Sequence, residues 1–409
     1  MGAKVKVKNP IVEIDGDEMA RVMWAMVKAR LLAPHVEIDT LYFDLGLAHR
    51  DATDDRVTVE AADATREHGV AVKCATITPT ADRAREYGLK HEWRSPTATL
   101  RDLLDGTVFR APIMVGNIQP SVRSWKRPIH LARHAYGDIY KNHEIAVPGP
   151  GRAHLSFSPS GEGKVVSCMV QVFEGPGVLQ GIHNTDASIE SFAQACFAYA
   201  AEQDLDVWFG TKDSVSKTYD ARFRDIFARE YEANWQARFE AEGRAYVYDQ
   251  IDDTVARIMR SEGGMLWACK GYDGEVMASL LAAAYGSPAM QTSRLLSPHG
   301  GCVYEAAHGT VQRHYYSHLA GEESATNPMA LLFAWSGALR KRGTLDGTPE
   351  VVTFADQLEA AGRATVESGI MTADLLTVAD PHPDNRSVGT EAFLDAVAEQ
   401  LERMLTGDA

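Results

Sequence analysis

The chain has 409 residues, 45% of them hydrophobic, and a formal net charge of −15. That length supports a large core and favours two or more domains. The acidic balance, with no long Lys/Arg block, argues against a nucleic-acid partner, and no apolar run reaches the roughly 18 to 20 residues of a membrane span.

The opening MGAKVKVKNPIVEIDGDEM has neither the apolar core of a signal peptide nor a Ser- and Arg-rich transit pattern, so a cytoplasmic location is expected. IVEIDGDEMARVMWAMVKARLL reads as strand, glycine turn and helix, with Met19, Val22, Met23, Met26 and Val27 at helical spacing. VEIDTLYF and VAVKCATI are further strands around the helical VTVEAADATREHG, and this alternation predicts a mostly parallel sheet with helices on its faces. Between about 138 and 181, VPGPGRAHLSFSPSGEGKVVSCMVQVFEGPGV alternates strand-like runs with Pro-Gly and Ser-Gly turns, predicting an antiparallel β insertion. Alternation then resumes with DASIESFAQACFAYAAEQ, DVWFG, RFRDIFAREYEANWQARFEAE, IDDTVARIMR and MLWACK, and two helices close the chain. The five cysteines, Cys74, Cys168, Cys196, Cys269 and Cys302, show no CxxC spacing and are expected as buried small hydrophobes in a reducing compartment.

Arg101, Arg110 and Arg133 fall within about thirty positions, with Ser95, Thr97 and Tyr140 nearby. Arginine makes planar bidentate contacts to carboxylates, so this cluster in an acidic protein points to a small polyanionic acid, although each arginine alone reads as a surface residue. Lys212 follows the strand-like DVWFG; it is either a solvated loop lysine or a partner that assists a tyrosine in proton transfer. Asp252 and Asp253 open the helix IDDTVARIMR, and in GYDGEVMAS Asp273 reads as a cap with Glu275 in the first turn and Ser279 one turn on. Acidic helix starts are explained by the macrodipole; carboxylates without nearby His or Cys would also suit Mg²⁺ or Mn²⁺. EAAHGTVQRHY places His308, Gly309 and Thr310 in a turn before Arg313 and His314, a pattern suited to phosphate. No GxGxxG follows the first strand, so a dinucleotide would bind without the Rossmann fingerprint.

Together GDEMARVMW, DLGLAHRDATDDRVT, VKCATITP, RHAYGDIY, VPGPG, YDARFRDIF, QIDDTVA, SEGGMLWACK, EAAHGTVQRHY and ATNPMALLFAW resemble the NADP-dependent isocitrate dehydrogenases, in the branch of homodimeric cytosolic and mitochondrial enzymes. The resemblance implies an α/β isocitrate/isopropylmalate dehydrogenase-like fold. Its large α/β domain would span 1–104 and 286–409, its small α/β domain 105–137 and 182–285, and a dimerising β clasp 138–181. It implies NADP as cofactor with Mg²⁺ or Mn²⁺, a tricarboxylate-like substrate, and active sites shared between two subunits. Substrate contacts would come from Thr78, Ser95, Thr97, Arg101, Arg110 and Arg133. Tyr140 and Lys212 would be the acid/base pair, with Lys212 given by the other subunit. Cofactor positions would be Lys73, Thr76, Thr78, Arg83, His308, Gly309, Thr310, Val311, Arg313, His314 and Asn327, with Arg257 and Arg260 added from the partner. The implied reaction is oxidation at the hydroxyl-bearing carbon, then loss of carbon dioxide and protonation of the enolate.

The substrate and metal shell departs from the family pattern. Ser95-Pro96-Thr97-Ala98 stands where the family has Ser-Pro-Asn-Gly, and Glu275 and Ser279 stand at two metal-side positions that are Asp in the family. Glu is longer than Asp by about 1.5 Å, and Ser removes a charge, so Asp252 and Glu275 would form a weakened oxygen site. The reading that follows is oxidative decarboxylation of isocitrate or a close 2-hydroxy-3-carboxy acid. One alternative is a phosphonate analogue of isocitrate as substrate, 3-phosphonomethylmalate giving 2-oxo-4-phosphonobutyrate, in specialised phosphonate biosynthesis. Another is a catalytically silent NADP-binding homologue.

Overall fold

A computed structural model describes residues 4–407. Ile11–Asp15 (β1) is buried at every position, as a strand covered on both faces should be. Gly16 then turns the chain so close to Ala75 that an added Cβ would stand 1.9 Å from its carbonyl oxygen. Glu18–Val27 (α1) follows, burying Met19, Met23, Trp24 and Val27 on one face.

Besides four two-residue strands, the others are Thr40–Asp44 (β2), Val70–Lys73 (β3), Thr107–Pro112 (β4), His130–His134 (β5), four in the insertion (β6 to β9, below), Asp206–Thr211 (β10), Tyr246–Gln250 (β11), Met265–Cys269 (β12), Gln291–Leu296 (β13) and Cys302–Ala306 (β14). Ten of them form one sheet in the order β11-β10-β12-β5-β4-β13-β14-β3-β1-β2. Its two halves are parallel. Antiparallel pairing at β5–β4, β4–β13 and β13–β14 joins them, so the sheet is mixed. The principal helices after α1 are Arg56–His68 (α2), Pro96–Leu104 (α3), Asp186–Gln203 (α4), Tyr219–Glu230 (α5), Ile251–Ile258 (α6), Gly271–Ala284 (α7), Gln312–Leu319 (α8), Met329–Asp346 (α9), Pro349–Glu367 (α10) and Thr390–Thr406 (α11). No helix among the described residues is long and apolar enough to cross a membrane.

One core gathers α1, α9, α10 and α11 around Trp24, Trp335, Phe354 and Phe393. A second, rich in phenylalanine, lies between α4, α5 and the strands β10 and β12, with Phe209 stacked on Phe227 at 3.8 Å between centroids. The insertion consists of two antiparallel ribbons: His143–Val147 (β6) pairs with Gly177–Gly181 (β9), and Gly151–Phe157 (β7) with Val166–Phe173 (β8). It leaves Phe157 67% and Val178 82% exposed.

Three sequence expectations are corrected. VEIDTLYF breaks into two strands because its ends pair differently, Val36–Glu37 with Val5–Lys6 and β2 with β1. The long charged helix that begins with α5 is interrupted by a π turn at Tyr231–Trp235, which keeps both aromatic rings against Phe197. Cys168, on β8, is exposed, whereas the other four cysteines are buried.

Candidate active site

The antiparallel strands β4, β13 and β14 present alternate residues to one face, and there Arg110, Gln291, Ser293 and Glu305 meet Arg133 from β5. Helix α3 adds Arg101, which pairs with Glu305 at 2.5 Å. Arg101, Arg110, Arg133 and Glu305 border a cavity of about 480 Å³ that also takes in Lys73, Thr76, Ser95, Thr97, Tyr140, Glu275, Ser279, His308 and Gly309. Two further charged neighbours, Lys141 and Asp102, pair with each other at 2.8 Å.

The cavity is electropositive inside an acidic protein. Its wall holds Lys73, Arg101, Arg110, Arg133 and Lys141 against Asp102, Glu275 and Glu305. The three arginines each have a buried Nε with no hydrogen-bond partner. Burial, and then repulsion from Arg101, brings the Arg110 guanidinium down to about 10; the same two causes bring Arg133 to about 9. Burial also lowers the Lys73 ammonium. Glu305 shifts as the counter-charge: burial pushes its carboxyl up, but Arg101 and Lys73 outweigh that and hold it at about 2. Cations depressed by desolvation and left with free donors are relieved by an incoming anion.

Tyr140 directs its hydroxyl to Glu275 Oε2 at 3.0 Å, and the Arg133 guanidinium lies 4.9 Å from its ring centre. Glu275 is also ion-paired with Arg133. Glu275 is not in the first turn of α7 as expected: the helix begins at Gly271 with Lys270 as N-cap, placing Asp273 in that turn and Glu275 beyond it. Within this helix Gly274 lies where an added Cβ would stand 2.9 Å from the Arg133 side chain. Ser279 donates back to the Glu275 carbonyl at 3.2 Å.

At the other end Ser95 caps α3 by accepting from Ala98 N, and the Thr76 and Thr97 hydroxyls stand 3.4 Å apart. His308, half-buried with its Nε2 shielded and unpartnered, borders both this cavity and an adjoining one of about 590 Å³ lined by Val311, Arg313, His314 and Asn327. Val311 adopts a left-handed backbone at φ 58°, which turns the chain from the glycine turn into α8. An added Cβ at Gly309 would meet nothing within 4 Å, so the turn is open to a ligand.

Other expected site residues lie elsewhere in the chain. Arg83 is held by Glu18 and Glu86, and Thr310 also bonds Glu18. Thr78 and Arg260 are exposed, and Arg257 pairs with Asp249 at 2.9 Å above the Trp208 ring. Lys212 and Asp252 pair with each other at the ends of β10 and β11 and do not line the cavity. No group of three His, Cys, Asp or Glu side chains suited to a metal occurs among the described residues. Reading the sequence missed Glu305, although EAAHGTVQRHY contains it; strand alternation with Ser293 would have placed it on the arginine face.

The sequence matches the family model described as isocitrate/isopropylmalate dehydrogenase over residues 6–397. The chain belongs to this family. It is 48% identical over 408 residues to the peroxisomal isocitrate dehydrogenase [NADP] of Arabidopsis thaliana, covering 99% of the chain and 98% of the relative. It is 47% identical over 404 residues to isocitrate dehydrogenase [NADP] 1 of Mycobacterium tuberculosis, and 47% over 409 residues to the cytosolic isocitrate dehydrogenase [NADP] of Arabidopsis thaliana. Each of these two alignments covers 98% of both sequences. For an isocitrate/isopropylmalate dehydrogenase family member, a cavity with three underpaired arginines beside a tyrosine hydroxyl is suited to an acid with several carboxylates.

Proposed function

We propose that this chain catalyses NADP-dependent oxidative decarboxylation of isocitrate or a close 2-hydroxy-3-carboxy acid, giving the 2-oxo acid, carbon dioxide and NADPH. One observation carries it: Arg101, Arg110 and Arg133 converge on one cavity with buried donors unsatisfied, beside Tyr140. The arginines would hold the carboxylates and fix the hydroxyl-bearing carbon toward the adjoining cavity, where Arg313 and His314 suit a phosphate. Bound there, NADP would supply the hydride acceptor. Tyr140 would then deliver a proton to the enolate left by decarboxylation, with Lys212 of a second copy assisting.

A divalent ion needs more oxygen donors than one chain provides. Glu275 is taken up by Arg133 and Tyr140, and Ser279 offers a hydroxyl in place of a carboxylate. A second copy bringing Asp252, together with substrate oxygens and water, would make an oxygen site suited to Mg²⁺ or Mn²⁺, which would polarise the new carbonyl. That second copy is the homodimer we propose, joined through the exposed apolar ribbons of 138–181. We further assign residues 1–104 and 286–409 to the large domain, 105–137 and 182–285 to the small one, and the enzyme to the cytoplasm. Thr78, Arg83, Arg257 and Arg260 are proposed to act in the assembled, ligand-bound dimer.

A second reading rests on the cavity's far end. Paired Thr76 and Thr97 hydroxyls and the missing carboxylate at Ser279 suit a larger tetrahedral anion of higher charge, as in the phosphonate analogue. The compared relatives are named for isocitrate, which favours the first reading. The retention of Tyr140 among the three arginines speaks against a silent homologue. NADPH absorbance with Mg²⁺ decides: the first reading expects a higher kcat/KM for isocitrate than for its phosphonomethyl counterpart, the second expects the reverse, and no turnover of either sinks both.

A further inference from the structure

The strands that build the active cavity have a second face. Phe109, His130, Arg294 and Tyr304 point away from Arg110, Arg133, Ser293 and Glu305, because successive residues alternate across a sheet. On this reverse face lies a separate cavity of about 310 Å³, bounded by α4 on one side and by α9 and α10 on the other. Arg294 forms part of its wall. Its guanidinium lies 4.8 Å from the Tyr199 ring centre and 5.9 Å from that of Phe109, and its buried Nη2 has no hydrogen-bond partner. The nearest carboxylate, on Glu202, stays at 3.8 Å.

From the far wall Arg340 and Arg363 face the same space. They share Glu359, at 2.9 and 3.5 Å, and Arg340 also pairs with Asp356 at 2.7 Å. His130 is neutral there: burial, and then Arg294, bring it down to about 4 while it bonds the Tyr199 hydroxyl at 2.8 Å. Thus two carboxylates line the cavity with three guanidinium groups, and the most deeply held of the three lacks a full set of acceptors. A buried guanidinium donor without an acceptor is costly, and its planar fork matches carboxylate or phosphate oxygens.

We propose that this reverse-face cavity binds a small dianion through carboxylate or phosphate oxygens, with the half-buried Arg294 as its anchor and Arg340 and Arg363 closing over it. The ligand would bridge β13 to α9 and α10, on the reverse of the strands that carry Arg110 and Glu305. The proposal does not depend on which acid is turned over in front.

Isothermal titration of the full-length protein with inorganic phosphate and, separately, with succinate tests it, repeated on Arg294→Gln and Arg363→Gln. Arg363 is 40% exposed, so its replacement leaves the core intact even if Arg294→Gln misfolds. At least one anion should bind the parent with one equivalent per chain beyond whatever the front cavity takes. That equivalent should weaken at least tenfold in the variants, while turnover of the front site persists. Identical isotherms for parent and Arg363→Gln with both anions would overturn the proposal. Which of the two binds decides between phosphate and dicarboxylate.

Discussion

Replacing Glu305 by Gln probes whether the active cavity is charged in advance for an anion. Glu305 is 6% exposed and accepts from Arg101 at 2.5 Å and from Ser293 Oγ at 3.0 Å. Glutamine keeps the volume but removes the charge, leaving Arg101 an uncompensated cation beside Arg110 and Lys73. Removing one partner of a buried ion pair costs about 3–5 kcal/mol. The carboxyl is held at about 2 against an ordinary 4.5, which at ~1.36 kcal/mol per unit gives about 3 kcal/mol, at the lower end of that range. At roughly 2 °C per kcal/mol, Glu305→Gln should lower the ligand-free Tm by about 6–10 °C in calorimetry. A bound tricarboxylate restores the missing negative charge, so isocitrate should raise the variant's Tm more than the parent's. A ligand-free Tm within ~1 °C of the parent, or a smaller gain from isocitrate, would refute the reasoning.

Tyr140→Phe removes the hydroxyl but none of the arginines, so kcat should fall by about 10²- to 10⁴-fold with KM nearly unchanged, as steady-state NADPH formation would record. Glu placed at both Phe157 and Met169, 67% and 57% exposed on the insertion, should shift a two-copy mass toward single copies in light scattering and abolish turnover with it. Buried His130 and His134 are brought down from 6.5 to about 4 and about 3, chiefly by burial. The unfolded chain then binds more protons below pH 6.5, so stability is full above that value and declines as pH falls toward about 4 and 3. Urea unfolding across pH 7 to 4 should show this decline, and His130→Gln should make it shallower.

The sequence exposed local structure and charge type better than long-range pairing. A short apolar run before a glycine turn located β1, and helical patterns located α1, α4 and α11, since each carries its own local signal. Arg101, Arg110 and Arg133 were legible as an anion cluster because three arginines in an acidic chain stand out, and the structure brings them to one cavity. Glu305 was not, because its role depends on Arg101, 204 positions away. The start of α7 was misplaced because Gly271 and Gly274, weak helix formers by local propensity, both lie inside the helix. Nor could spacing show that Lys212 and Asp252 lie apart from Tyr140. That follows from sheet order, which sets β12 and β5 between β10 and β4.

The same sheet order bears on the second copy proposed to complete the cavity. Strands β10 and β11 end at one edge of the sheet, and the salt bridge between Lys212 and Asp252 occupies that edge. Both groups are partly exposed there, 41% and 63%, and neither has a task within its own cavity. Meanwhile Glu275, one carboxylate beside one serine, gives the cavity too little negative charge to hold a dication unaided. If a second copy inserts this edge, Lys212 must release Asp252, so that proton transfer and metal affinity become coupled. Asp252→Asn should then raise the Mg²⁺ concentration required for half-maximal rate and alter the pH profile of kcat together. Movement of the first with no change in the second would show that the pair separates before assembly.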